Sequence, residues 1–347
     1  MSVRLPAEWE HQSAILLAWP HQNTDWNPIL DSVISTYIEI ARAVTKYQKL
    51  VICFHSAKLQ DETLRLFDNL KLLKSNITSF IAENNDTWLR DSGPITIMNN
   101  DKPELLDFIF NAWGGKYSSE LDNQITTRFC QSLLSKDIRR KHVDMVLEGG
   151  SIESDGKGTL LTTSKCLLTD TRNNSLTRKD IDENLTQLLG LKRILWLENG
   201  FMIGDDTDSH IDTLARFCPN DVIAYCTCKD KRDPHFDELA KMEQELKDLQ
   251  TIDGKPYDLV ELPIPKPIFA NDKTRLPATY ANFLILNNAV LLPIYGDNEA
   301  DNFAKAQLKS IFPDREIIAI NCRSLIEQFG SLHCVTMQLP KGVTLND

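Results

Sequence analysis

The sequence predicts an α/β protein, and two observations carry that prediction. Short apolar, strand-like runs alternate with amphipathic helical stretches along the whole chain. Strand–helix–strand units also recur roughly five times, at intervals of about 60–75 residues. Such a recurrence belongs to a repeat architecture, with a doubly wound sheet as the competing arrangement. The 347 residues allow one large domain or two ordinary ones, and no Gly/Ser-rich linker divides them.

The elements follow in order. SAILLAWP (13–20) and KLVICFH (49–55) are apolar runs on either side of a helical pattern over 27–47. PELLDFIFNAW (103–113) is the next strand candidate, before a helix over 121–136. The stretch 142–163 contains strands, with Asp155-Gly156 as a hairpin turn. A helix over 178–190 precedes strands at 193–198 and 221–227, then a helix over 235–249. Strands at 258–265 and 282–295, a helix over 298–312, and strands at 316–322 and 332–339 complete the chain.

Composition narrows the function. The formal net charge is −11 and the pI about 5.2, a field that repels nucleic acid and attracts a small cation. No apolar run approaches the ~20 residues of a membrane span, and the N-terminus lacks a signal-peptide core, so no membrane partner and a cytoplasmic location are expected. The eight cysteines form no CxxC pair, and Cys226, Cys228 and His235 lack two further zinc ligands. No phosphate-binding glycine motif is present. The sequence thus calls for no cofactor and no metal.

Four stretches place polar residues beside apolar runs, where α/β folds carry their sites. They are NNDTWLRDSGP (84–94), VLEGGS (146–151), GDDTDSHID (204–212) and GSLHCVT (330–336). Four aspartates crowd His210 in the third, and such a cluster calls for a positive partner. In extended backbone His210 and Asp212 would share a face.

With PAEWEHQSAILLAWP (6–20), FNAWGG (110–115) and YANF (280–283), these stretches resemble, in order, the agmatine deiminase branch of the guanidine-modifying enzymes. That resemblance implies one domain over 1–347, a five-bladed α/β propeller (the pentein fold) of ββαβ-type units with pseudo-five-fold symmetry. It assigns the nucleophile to Cys334 and the general acid/base to His210. Asp91 and Asp212 become the carboxylates that grip a guanidinium, and Glu148 the residue that holds His210. Trp88, Trp113 and Asn282 fall on pocket positions. The sequence departs from the family at Phe329-Gly330-Ser331, where a glycine-rich lead-in is usual, and at Ser209, where glycine precedes the histidine.

The implied reaction is hydrolysis of agmatine to N-carbamoylputrescine and ammonia through a Cys334 thiouronium. Relatives that accept a substrate carboxylate use two arginines about twenty residues past the RD aspartate. Here that stretch, FNAWGGKYS (110–118), offers only Lys116. Asp206 and Asp208 are the candidates for the amine end. Three alternatives stand beside this expectation: an arginine or peptidylarginine deiminase of the same fold, a metal-dependent ureohydrolase suggested by DSHID, and a non-enzymatic polyamine-binding protein. The implied partner is the small cationic guanidine, and a homodimer is compatible with the resemblance.

Overall fold

The protein is described by a computed structural model over residues 3–346. Its strands form five separate sheets. Each contains the same three-strand unit: a first strand antiparallel to a second, and the second parallel to a third. The first strands are Ile95–Asn99, Ile152–Ser154, Ala215–Cys218, Leu284–Ile285 and Thr336–Pro340. Chain closure is visible in the last: Thr336–Pro340 pairs with Gln12–Ala18 from the other end of the sequence.

The second strands are the apolar runs legible in the sequence. Gln12–Ala18 and Ala289–Ile294 are almost wholly buried, because each lies inside its sheet and is covered on both faces. The helix Leu30–Tyr47 buries Val33, Tyr37, Ile40, Ala41 and Val44, the spacing of one helical face, against strands Lys49–Phe54 and Glu316–Asn321. Helix Arg178–Leu189 starts at a Thr177/Asp180 capping box and stops at Gly190, which takes the left-handed conformation at φ 67°. The Asp155-Gly156 hairpin forms as expected between Ile152–Ser154 and Thr159–Thr163. Among the described residues, no helix is long and apolar enough to cross a membrane.

Several elements differ from the sequence reading. Strands Ile77–Ile81, Ile95–Asn99 and Ala215–Cys218 and helix Ala57–Asn69 are additional. The helix buries only Thr63 and Phe67, too thin a stripe for a periodic signal. At the C-terminus the strand begins at Thr336, so His333 and Cys334 lie in the turn before it.

One buried cation joins the sheets. Arg216, on the first strand of the third unit, is fully buried. Its guanidinium pairs with Glu153 on the second unit and donates to Glu8 Oε2 at 2.7 Å, just before Gln12–Ala18. It also donates to the carbonyls of Ala281 at 3.0 Å and Phe283 at 2.7 Å, and lies 3.0 Å from His333 Nε2. Burial pushes Glu8 up, but His333 and Arg216 outweigh it and hold the carboxylate well below its usual range. For Glu153 burial prevails over Arg216, and its carboxyl is pushed up to about 7. Removing the guanidinium leaves both carboxylates buried without their cation, which typically costs about 3–5 kcal/mol. Arg216→Met is therefore expected to lower the urea unfolding free energy by at least about that amount. An unchanged unfolding midpoint would show that Arg216 does not hold these elements together.

Candidate active site

The turns before the five first strands carry the candidate site residues. Asp91 lies in the one-turn helix Leu89–Ser92 before Ile95–Asn99. Glu148 and Gly150 precede Ile152–Ser154, and His210 and Asp212 precede Ala215–Cys218. Asn282 stands before Leu284–Ile285, and Cys334 before Thr336–Pro340. Residues up to 243 positions apart meet this way; Arg90 Nε, for example, donates to the carbonyl of His333. Strand ends are rigid, so they position these side chains more firmly than free loops do.

Asp91 is fixed through both oxygens. Oδ1 accepts from the Gly150 amide at 2.9 Å, and Oδ2 from Trp113 Nε1 at 2.9 Å. Trp113 sits in an unusual run: Ala112, Trp113, Gly114 and Gly115 all have positive φ, at 50°, 55°, 90° and 80°. Left-handed backbone costs roughly 1–2 kcal/mol per non-glycine residue, so this turn stores strain to aim the indole. The Asn111 side chain holds the turn by accepting from the Gly114 amide at 2.8 Å.

Asp212 accepts from His333 Nδ1 at 2.7 Å through Oδ2, the oxygen that lies 4.0 Å from Cys334 Sγ. Its other oxygen, Oδ1, is buried with no hydrogen-bond partner in the chain, an open acceptor for an incoming donor. Burial pushes Asp212 up, but the His333 hydrogen bond and nearby positive charge hold its pKa below the ordinary value. Asn282 Oδ1 lies 3.4 Å from Cys334 Sγ and accepts from the His333 amide at 2.9 Å. Burial, then Asp212 and Asp91, push the Cys334 thiol well above its ordinary range. Burial also raises Asp91, to about 6. Burial lowers His210, but Asp91 foremost outweighs it and raises the imidazole well above its usual value. His210 is thus an imidazolium at neutral pH, with Nδ1 3.6 Å from Asp91 Oδ1.

Cys334 opens on a cleft of about 470 Å³ lined also by Asp25, Asp86, Trp88, Asp91, Trp113, Tyr117, Asp206, Thr207 and Gln328–Gly330. Four aspartates and no lysine or arginine line it. Burial pushes Asp86 up to about 7, and it still accepts from Trp88 Nε1 at 2.9 Å. Tyr117 donates to Asp206 Oδ2 at 2.9 Å.

Three expectations need correction. Asp208 does not line the cleft: its carboxylate pairs with Arg172 and, at 2.9 Å, with Lys116 Nζ. Cations on both sides already satisfy that charge. Glu148 makes no hydrogen bond to His210. Its Oε1 accepts from Arg172 Nε at 2.9 Å, while Glu148 Oε2 and His210 Nε2 are both buried without a partner. His210 and Asp212 do face one space, but not along a strand. Asp208 and Ser209 take φ of 66° and 70°, and Ile211–Thr213 forms a 3₁₀ turn. Ser209, where the family resemblance leads one to expect glycine, therefore occupies backbone that glycine adopts without strain. Phe329, in the altered lead-in to the cysteine, does the same at φ 64°. Sequence reasoning gave no site role to Asp25, Asp86 or Tyr117. Asp86 stood inside a quoted stretch; the surroundings of Asp25 carry no comparable signal.

Gly150 shows how tightly the groups are assembled. A Cβ there would lie 2.6 Å from His210 Nδ1 and 2.8 Å from Asp91 Oδ1. Gly150→Ala is expected to fold but to lower turnover about a hundredfold or more, the cost of an ångström-scale displacement of the assembled groups. Steady-state kinetics beside circular dichroism check this, and wild-type turnover would contradict it.

Comparison with known proteins places this arrangement. Residues 4–340 match the Porphyromonas-type peptidyl-arginine deiminase family. The chain is similar to a C. jejuni agmatine deiminase, solved as a cysteine-to-serine variant with substrate bound, at 42% identity and a TM-score of 0.90, covering 98% of this chain and 97% of that one. It is also similar to the agmatine deiminase of Enterococcus faecalis, at 28% identity and a TM-score of 0.87 over 99% and 97% of the two chains. The agmatine deiminase of Medicago truncatula is 28% identical over 97% of this chain and 96% of its own. With five strand-end turns converging on one thiol, and a match over nearly its whole length, the chain belongs to the Porphyromonas-type peptidyl-arginine deiminase family.

Proposed function

We propose that the protein is an agmatine deiminase, converting agmatine and water to N-carbamoylputrescine and ammonia. The observation that carries this reading is the cleft above Cys334, which is lined by four aspartates and four large aromatic side chains and by no lysine or arginine. Agmatine has a guanidinium at one end and an ammonium at the other. Arginine carries a carboxylate beside its ammonium, and a C-terminal arginyl peptide a carboxylate beside an amide; that carboxylate would need a basic partner. The one nearby lysine, Lys116, is already bound to Asp208 and the Asp206 carbonyl. The agmatine deiminases named above support the same substrate. We further propose that the five sheets are the blades of one propeller, with the five turns at its centre.

In the reaction, Asp91 and Asp212 receive the N–H edges of the guanidinium; charge-assisted hydrogen bonds of this kind are short and directional. The resting thiol is protonated, and the arriving cation changes that. A positive charge about 4 Å from sulfur, at an effective dielectric near 20, contributes about 4 kcal/mol, or about three pKa units. Substrate binding thus releases the thiol proton, and the Cys334 thiolate attacks the guanidinium carbon. The His210 imidazolium protonates the departing nitrogen; the C–N bond breaks, ammonia leaves and a Cys334 thiouronium remains. His210, now neutral, takes a proton from water as that water adds to the same carbon. The C–S bond then breaks, regenerating the thiol and releasing the carbamoyl amine. Asp25, Asp86 and Asp206 are the groups available to the ammonium end.

The test is a comparison of kcat/KM for agmatine, arginine and a C-terminal arginyl peptide, with products identified. Agmatine is expected to lead by roughly a thousandfold or more, because burying an unpaired carboxylate costs several kcal/mol. The products should be ammonia and N-carbamoylputrescine, Cys334→Ser should abolish turnover, and a chelator should leave it intact. Equal use of arginine or the peptide would overturn the substrate; urea as a product would overturn the chemistry.

A further inference from the structure

Beside the proposed reaction centre lies a second thiol that the mechanism does not use. Cys166, in the turn Ser164–Leu167, is fully buried and unpaired in any disulfide. Its sulfur, a nitrogen of His210 and an oxygen of Glu148 lie within 4.8 Å of one another. Glu148 Oε2 is buried with no hydrogen-bond partner, and the buried His210 imidazole has the Cys166 thiol as its neighbour on this side. An orphaned carboxylate oxygen in a dry interior is costly, and here it lies beside a thiol and an imidazole.

A tetrahedral zinc ion holds sulfur at about 2.3 Å and nitrogen or oxygen at about 2.0–2.2 Å, which sets its ligand atoms roughly 3.4–3.6 Å apart. Closing the trio onto an ion therefore needs shifts of about an ångström. Thiolate, imidazole and carboxylate together select zinc over magnesium, calcium or manganese. A second trio, Glu8, Glu153 and His333, meets the same distance limit. There the Arg216 guanidinium already occupies the cation's place, paired with both carboxylates and 3.0 Å from His333 Nε2. At the Cys166 trio the neighbouring Arg172 takes only Glu148 Oε1 and leaves Oε2 free.

We propose that Glu148, Cys166 and His210 form a zinc-binding site, and that zinc bound there inhibits the enzyme by capturing His210. Binding releases the thiol proton and the extra imidazolium proton to solvent, and leaves a fourth coordination position open. The inhibition rests on the role proposed for His210; the binding does not.

Two measurements keep these separable. In the full-length Cys334→Ser chain, zinc binding is read by competition with a chromophoric chelator, and cobalt binding by thiolate-to-cobalt charge-transfer absorption. One zinc per chain and a charge-transfer band are expected. Adding Cys166→Ala should remove the band and weaken zinc at least about tenfold; Cys166→Ser serves if the alanine variant does not fold. Unchanged zinc affinity, or a band that persists without Cys166, overturns the site. In the wild-type chain zinc should inhibit agmatine turnover, and Cys166→Ser should keep basal turnover within a few-fold while raising the inhibitory zinc concentration at least about tenfold. Equal inhibition of the two overturns the proposed mode. Zinc binding lost with Cys166, but without any inhibition in the wild type, upholds the site and counts against His210 as the acid/base.

Discussion

The arrangement depends on one guanidinium held in a dry place. Arg216 reaches Glu8, Glu153, two carbonyls and His333 from the middle of a strand. Its consequences run outward to the chemistry. Burial and the arginines Arg216 and Arg90 push the His333 pKa down, against the pull of Glu8 and the Asp212 hydrogen bond. His333 lies between two buried carboxylates, with Nδ1 2.7 Å from Asp212 Oδ2 and Nε2 2.7 Å from Glu8 Oε2 and 3.0 Å from Arg216. The same contact sets the orientation of the residue next to Cys334. The resident cation lies one residue layer behind the reacting groups, so Asp91 and Asp212 remain available to a visiting one.

That division explains the acidity of the cleft. Four aspartates around one opening repel each other, and burial raises Asp86 to about 7 and Asp91 to about 6. The lining concentrates negative charge, which suits a substrate that is cationic at both ends. Backbone strain accompanies the electrostatic strain. The left-handed run at Ala112–Gly115, the pair Asp208-Ser209 and Phe329 all border the site. Local strain of this kind persists only where surrounding structure over-determines it. Here Asn111 braces the first turn, and Asp205 accepts from the Ser209 amide at 2.8 Å in the second.

Much of this was legible in the chain, and the limits have physical causes. The second strand of each unit read clearly, because it lies inside its sheet and is largely buried. Two of the five first strands did not. Ala215–Cys218 has four residues, one of them Arg216, and Ile95–Asn99 runs straight on from the RDSGP stretch into an asparagine pair. The five-fold recurrence was therefore visible as spacing, while the unit type came from the family resemblance. Asp91, His210, Asp212 and Cys334 could be singled out because local motifs mark them, and the structure brings them together. Arg216 could not: its partners Glu8 and Glu153 lie 208 and 63 positions away, and an arginine in a strand reads as exposed. Asp208 failed for the converse reason, since its cluster suggested a free carboxylate and Arg172 and Lys116 had claimed it.

The central claim is that Cys334 forms a covalent bond to the guanidinium carbon of agmatine. Rapid acid quenching during turnover, followed by intact-mass and peptide-mapping spectrometry, tests it most directly. The predicted result is a transient adduct of agmatine less ammonia, confined to the peptide that contains Cys334 and absent from Cys334→Ser. Turnover at full rate with no adduct at any time, or an adduct on one of the other seven cysteines, would contradict it.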